Sequence, residues 1–189
     1  MEKILVIGGS AGSFKVVSKI LTSVESGFPF PIIICMHRLR NVRTGFANTL
    51  SLYSQIPVVE AKDREKIIPS KAYIAPSNYH LMVEDDHVFS LSAERPVNHS
   101  RPSIDVTMDT IAEVFRDRTV GILLSGANND GAKGMKTIHE YGGMTLVQDP
   151  SDAEIRTMPE TCISMFKPDH ILDTAGLIQN IKDLARANE

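Results

Sequence analysis

Cysteine is scarce in this chain: Cys35 and Cys162 are the only two in 189 residues. Two cysteines so far apart make neither a disulfide framework nor a metal-binding spacing. Cys35 lies inside the apolar run Ile32-Ile33-Ile34-Cys35-Met36, where a thiol reads as a small core residue in a reducing cytosol. Long hydrophobic runs are missing as well. No stretch approaches the ~18 apolar residues of a membrane span, so membrane insertion is not expected. Met1-Glu2-Lys3 leads directly into a strand-like run, so no signal peptide is expected and the expected location is cytoplasmic. There is no excess of positive charge. The net charge is −3, which argues against nucleic acid or an anionic membrane surface as the main partner. The six histidines show no metal-ligand spacing, and the acidic residues form no obvious catalytic pair; no metal site is expected. Repeats, low-complexity tracts and linker-like segments are absent. The length suits one domain, residues 1–189, within the common ~100–200-residue range.

What is present is alternation. Ile4-Leu5-Val6-Ile7 is an apolar run ended by two glycines, and Phe14, Val17, Ile20, Leu21 and Val24 then recur at helical spacing. Pro31 to Met36 is a second apolar run of parallel-strand character. Phe46, Leu50 and Tyr53 predict a helix, Ile56 to Val59 a strand, and Ala72-Tyr73-Ile74-Ala75-Pro76 a short strand stopped by proline. His80 to Glu84 and His87 to Leu91 flank Asp85-Asp86, which reads as a hairpin with a two-residue turn. Ser103 can cap a helix reaching Phe115. Strands at 119–124, 144–147 and 171–172 then alternate with helices at 131–141, 158–166 and 177–187. The expected fold is α/β: a doubly wound, mostly parallel sheet with helices on both faces and an antiparallel hairpin at one edge.

Three polar segments end three of the apolar runs. Gly8-Gly9-Ser10-Ala11-Gly12 follows the first, His37 the second, and Asn129-Asp130-Gly131 comes after the run ending at Leu124. Ligands bind at the carboxyl ends of the strands in such sheets. The Ser10 loop would aim free backbone N–H groups at a helix start, fit for an oxyanion or for a phosphate. Taken alone, the loop favours phosphate. It is neither a P-loop, since no Lys-Ser/Thr follows, nor a dinucleotide fingerprint. His37 alone reads as a hydrogen-bonded strand end, and Asp130 alone as a helix cap. Arg38 and Arg40 can bind an acidic substrate or be solvated. Together, Ser10, His37 and Asp130 have the makings of an activated-serine site.

These residues resemble a known family, the catalytic domain of the CheB chemotaxis methylesterases. The similarity runs through Ile7-Gly8-Gly9-Ser10-Ala11-Gly12, Ile34-Cys35-Met36-His37, Ala72 to Pro76, Ser100-Arg101-Pro102-Ser103-Ile104-Asp105, Leu124-Ser125-Gly126 through Asn129 to Gly134, Gln148-Asp149 and Met158-Pro159. It covers nearly the whole chain in order. The resemblance implies a Ser10–His37–Asp130 triad and hydrolysis of glutamate methyl esters on the cytoplasmic helices of methyl-accepting chemotaxis receptors. It also implies deamidation of receptor glutamines, and neither metal nor organic cofactor. Oxyanion and substrate contacts are expected from Ala11, Gly12, Gly126, Ala127, Asn128 and Arg101. The mechanism needs no second copy, so a monomer is expected. Ala11, Ser13 and the Ala127-Asn128 pair differ from the family's usual residues, and its usual N-terminal receiver domain is expected to be absent. The rival expectations are a binding module that kept the fold and lost turnover, and a nucleotide-binding α/β domain using the Gly8–Gly12 loop.

Overall fold

The computed structural model describes residues 3–37 and 45–187. Nine strands and six helices follow one another as β1 (Ile4–Gly9), α1 (Phe14–Ser23), β2 (Ile32–Met36), α2 (Phe46–Ser51), β3 (Val58–Glu60), β4 (Ala72–Ile74), β5 (His80–Val83), β6 (Phe89–Ser92), α3 (Ile104–Phe115), β7 (Thr119–Leu123), α4 (Ala132–Glu140), β8 (Met144–Gln148), α5 (Thr157–Met165), β9 (His170–Leu172) and α6 (Thr174–Arg186). Seven strands form one sheet in the order β3-β4-β2-β1-β7-β8-β9. Every pairing within it is parallel.

Burial on both faces explains why the central strands are continuous apolar runs rather than alternating ones. Along β1, Ile4 and Val6 pack on one side, with Met108 and Phe115 of α3, Met135 and Ile138 of α4, and Met158 of α5. Leu5 and Ile7 pack on the other, with Val17 and Ile20 of α1 and Leu177 and Ile181 of α6. The chain therefore leaves β1 toward one face through α1, and leaves β7 toward the opposite face through α4. Because β1 and β7 are neighbours, their carboxyl ends open a crevice at the point where the winding reverses.

The hairpin forms, but as its own two-stranded sheet rather than as an edge of the large one. Its outer strand bonds to the segment after β3, through Arg64 N–H to Phe89 O (2.8 Å) and Phe89 N–H to Glu65 O (2.9 Å). Its inner strand sits on α3, where Thr107 Oγ1 donates to Leu81 O (2.9 Å) and Thr110 Oγ1 accepts from Val83 N–H (3.2 Å). The turn is also longer than two residues. Glu84 N–H reaches Val88 O and His87 N–H reaches Glu84 O, with His87 at φ +60°. This is a three-residue loop closed by a left-handed residue, and the His87 ring stacks on Phe115 at 4.7 Å.

Gly8 shows how closely α3 lies on β1. A Cβ there would run into Ile104 Cγ2, and would lie 3.1 Å from Met108 Cε and 3.2 Å from Leu123 Cδ1. Gly8→Ala is therefore expected to push α3 off the sheet and destabilise the fold by about 1–3 kcal/mol, the usual cost of overpacking. Urea unfolding measures this. An unchanged midpoint would show that the α3–β1 contact has slack.

Candidate active site

The strand order β2-β1-β7 puts the three polar segments side by side. Gly9 is paired with Met36 in the β1–β2 register, and the ladder runs on through His37 N–H to Gly9 O (3.2 Å). Ser10 N–H bonds to Ser125 O (2.9 Å) across the β1–β7 boundary. Ser10, His37 and the 124–131 loop thus extend three adjacent strands.

His37 Nε2 lies 2.7 Å from Asp130 Oδ2. A carboxylate only accepts, so this bond puts the imidazole proton on Nε2 and leaves a lone pair on Nδ1. Asp130 is fully buried, and its carboxylate is surrounded by donors. Oδ2 also accepts from Ile104 N–H (2.7 Å); Oδ1 accepts from Ser103 Oγ (2.8 Å), Asn98 Nδ2 (2.9 Å) and Asp105 N–H (3.2 Å). The two backbone donors belong to the first turn of α3, and Ser103 is that helix's N-cap. Taken alone, Asp130 reads as a cap for the helix that follows it. Instead it caps α3, where the helix's free N–H groups and positive end favour an anion. Burial pushes the Asp130 pKa up, but the bonds from His37, Asn98, Ile104 and Ser103 together hold it below the ordinary carboxylate value.

The arrangement is reciprocal. Asp105, in the first turn of α3, accepts from Gly131 N–H and Gly134 N–H (2.8 Å each) at the start of α4. Burial moves its pKa above the ordinary value, and the charge of Asp130 adds to that shift. His80 enters behind Ser103. Its Nδ1 accepts from Ser103 N–H (3.2 Å) while Nε2 donates to Arg95 O (3.1 Å). Asn98, His80 and Asp105 were not singled out as site residues from the sequence. The helix-start pattern at Ser103 was the available signal.

The Ser10 hydroxyl has no hydrogen-bond partner among the described residues, so the bond to His37 expected of a triad is not formed here. The Nδ1 of His37 instead faces Asn128 Nδ2 at 3.4 Å, and Asn128 Oδ1 accepts from Asp130 N–H (3.1 Å). Ala11 and Gly12 follow Ser10 with backbone N–H groups that no described residue accepts, and the same holds for Ala127 and Asn128. Gly12 adopts φ +82°, and a Cβ there would lie 2.6 Å from Glu154 Cβ and 2.7 Å from Ser125 Oγ. Two expectations need correcting. The Gly126 N–H is taken by Ile155 O (3.1 Å) and does not face an oxyanion. The role of Gly126 is steric, since a Cβ would lie 2.5 Å from Met158 Cε and 3.0 Å from Ser10 Cβ. The guanidinium of Arg101 is bound to Ala93 O (2.5 Å), Glu94 O (2.7 Å) and Asn78 Oδ1 (2.7 Å), so it fastens a loop rather than presenting itself to a substrate.

Arg38 and Arg40 lie outside the described residues. Both cysteines are buried, and burial pushes the Cys162 thiol up to about 12, which makes it inert as a nucleophile. Among the described residues no group of three or more His, Cys, Asp or Glu side chains is arranged to hold a metal.

The lowered pKa of Asp130 has a stability consequence. A carboxyl group depressed in the folded state contributes stability above its unfolded value, about 3.9, and loses it as pH falls through the folded value. Asp130→Asn removes that contribution and turns an amide toward groups that are all donors. The variant is expected to unfold at clearly lower urea than the parent at pH 7, with the gap narrowing below about pH 4 as the parent's carboxylate protonates. A gap constant from pH 7 to pH 3 would contradict an ionised Asp130.

Comparison with known proteins matches the CheB methylesterase family to residues 5–181. A Leptospira interrogans protein, provisionally named protein-glutamate methylesterase/protein-glutamine glutaminase, is 42% identical over 168 residues, covering 89% of this chain and 87% of that one. A Geobacter metallireducens protein named protein-glutamate methylesterase/protein-glutamine glutaminase 4 is 33% identical over 184 residues, covering 97% of this chain and 53% of that one. The chain thus spans about half the length of the Geobacter relative. The crystal structure of the Thermotoga maritima CheB methylesterase catalytic domain matches with a TM-score of 0.92 at 29% identity, over 97% of this chain and 99% of that one. On sequence extent and on fold, the chain belongs to the CheB methylesterase family of hydrolases.

Proposed function

We propose that this chain hydrolyses glutamate methyl esters on the cytoplasmic helices of methyl-accepting chemotaxis receptors, using Ser10, His37 and Asp130, and that it does so in the cytoplasm. The observation that carries the reading is the 2.7 Å bond from His37 Nε2 to a buried, ionised Asp130, at the strand end adjoining Ser10. It leaves Nδ1 as the base. On substrate binding, the free Ser10 hydroxyl turns toward Nδ1; such bonds are commonly loose until the substrate is in place.

Ser10 Oγ then attacks the ester carbonyl carbon and its proton passes to Nδ1. The oxyanion draws on the unclaimed N–H groups of Ala11 and Gly12, and of Ala127 and Asn128 across the crevice, donors of a kind worth about 10²–10³ in rate. The tetrahedral adduct collapses, the C–O bond to methoxide breaks, and the Nδ1 proton leaves with it as methanol. Water repeats the cycle on the acyl-serine, restores the Ser10 hydroxyl and frees the glutamate carboxylate. Asp130 stays ionised throughout and stabilises the imidazolium. The same attack on a glutamine side chain expels ammonia, in line with the paired names of the relatives.

A binding module on the same fold is the second reading, and one feature favours it. The Nδ1 atom faces the Asn128 amide, 3.4 Å away, rather than the Ser10 hydroxyl. Mass spectrometry of a methylated receptor fragment, before and after incubation, separates the two. The parent chain should remove methyl groups, and Ser10→Ala should slow this by on the order of 10⁴ or more, because triad members act as a unit. Equal demethylation by both would remove Ser10 as the nucleophile, and none by the parent would leave the binding module.

A further inference from the structure

We propose that Asn98 is a positioning residue for the reaction: its side-chain amide, held between two buried carboxylates, fixes Asp130 and through it the His37 ring. The proposal rests on the Ser10–His37–Asp130 reading above. A single nitrogen, Asn98 Nδ2, lies 2.9 Å from Asp130 Oδ1 and 2.7 Å from Asp105 Oδ2. An amide nitrogen carries two hydrogens, one for each carboxylate. The two aspartates come from different helix starts, and the Asn98 amide bonds to both carboxylates. Like charges in so dry a place cannot both persist unscreened. The amide lets Asp130 stay ionised beside Asp105 without swinging away from His37.

The loop that delivers Asn98 is built to hold it still. Asn98 has φ +48°, a left-handed conformation that asparagine tolerates better than most residues. Val97 and Ser100 bond reciprocally around it, at 3.1 and 2.8 Å. Arg101 then ties the loop back to Ala93 O, Glu94 O and Asn78 Oδ1. This accounts for an arginine whose two terminal nitrogens are both bound within the protein at the edge of the site. The Asn98 amide bonds to Asp130 and Asp105, and to neither Ser10 nor His37 among the described residues, so its influence on the reaction runs through Asp130.

The test is the rate at which a fluorophosphonate ester labels Ser10, followed by intact mass and peptide mapping, which needs no receptor. Asn98→Gly removes the amide and keeps the backbone conformation accessible. It should label Ser10 about tenfold to a hundredfold more slowly, the range of one charge-assisted hydrogen bond, with the maximal rate falling rather than the reagent's apparent affinity. Asn98→Asp keeps the shape and puts a third carboxyl between Asp105 and Asp130. Among the described residues, the titratable groups around it include those two aspartates, His37 beyond Asp130, His80 behind Ser103, Cys162 beside Asp105, and His99 next along the loop. A carboxyl donates only when protonated, so the deficit of Asn98→Asp relative to the parent should be large at pH 8 and shrink toward pH 5.5. A parental rate in Asn98→Gly, or a deficit in Asn98→Asp that does not change with pH, overturns the proposal while the parent's labelling leaves the triad standing. A parent whose Ser10 is not labelled overturns the triad reading and this proposal together.

Discussion

A buried carboxylate set on the end of a helix is the interaction on which the site depends. Asp130 has no exposure, and a charge in that position is costly unless it is paired and fully hydrogen-bonded. Four donors from α3, its cap and Asn98 meet that requirement, and the fifth is the imidazole of His37. The bond to His37 therefore does not have to hold the carboxylate by itself. The carboxylate is already placed, and the ring orients to it. For the base proposed at His37, that order fixes the lone pair on Nδ1 before any substrate arrives.

The rest of the fold supplies the frame for that contact. Parallel strands in the order β2-β1-β7 bring three loops to one edge, and the winding reverses between β1 and β7. Helices α3 and α4 pack on the same face, where Gly134 lets them approach. A Cβ on Gly134 would lie 2.6 Å from Met108 Cβ and 3.1 Å from Asp105 Cα. Their starts are then close enough for Asp130 to cap α3 and Asp105 to cap α4. Both carboxylates accept from helix-start N–H groups, yet their net pKa shifts run in opposite directions. Asp130 is held below the ordinary carboxylate value by its donors, and Asp105 is raised above it by burial and by its neighbour.

The fold was legible in the sequence because burial on both faces writes a strong pattern. Ile4 to Ile7 and Pro31 to Met36 could hardly be exposed, and Phe14 to Val24 repeats at helical spacing. Ser10 and His37 stood out as candidates because each follows the end of such a run, and Asp130 because its loop follows the run ending at Leu124. The hairpin was read correctly as a hairpin and too simply as an edge. Its attachment depends on Thr107 and Thr110 hydroxyls from a helix far along the chain, which no local pattern records. Asn98 and His80 were not singled out for the same reason: their bonds to Asp130 and Ser103 span 32 and 23 residues. Gly126 misled in a different way. Its sequence position suits an oxyanion donor, but Ile155 returns across the loop and takes its N–H.

The proposed mechanism requires Asp130 to keep the His37 proton on Nε2 and leave the Nδ1 lone pair as an acceptor, which here faces the Asn128 amide. Long-range nitrogen–proton correlation spectra of a histidine-labelled sample at pH 8 read this directly. His37 should show one nitrogen shift of the protonated, pyrrole-like kind at Nε2 and one of the unprotonated, pyridine-like kind at Nδ1. In Asp130→Ala that distinction should collapse toward the averaged shifts of a freely exchanging ring. A His37 proton residing on Nδ1 in the parent chain, or the same spectrum in Asp130→Ala as in the parent, would contradict it.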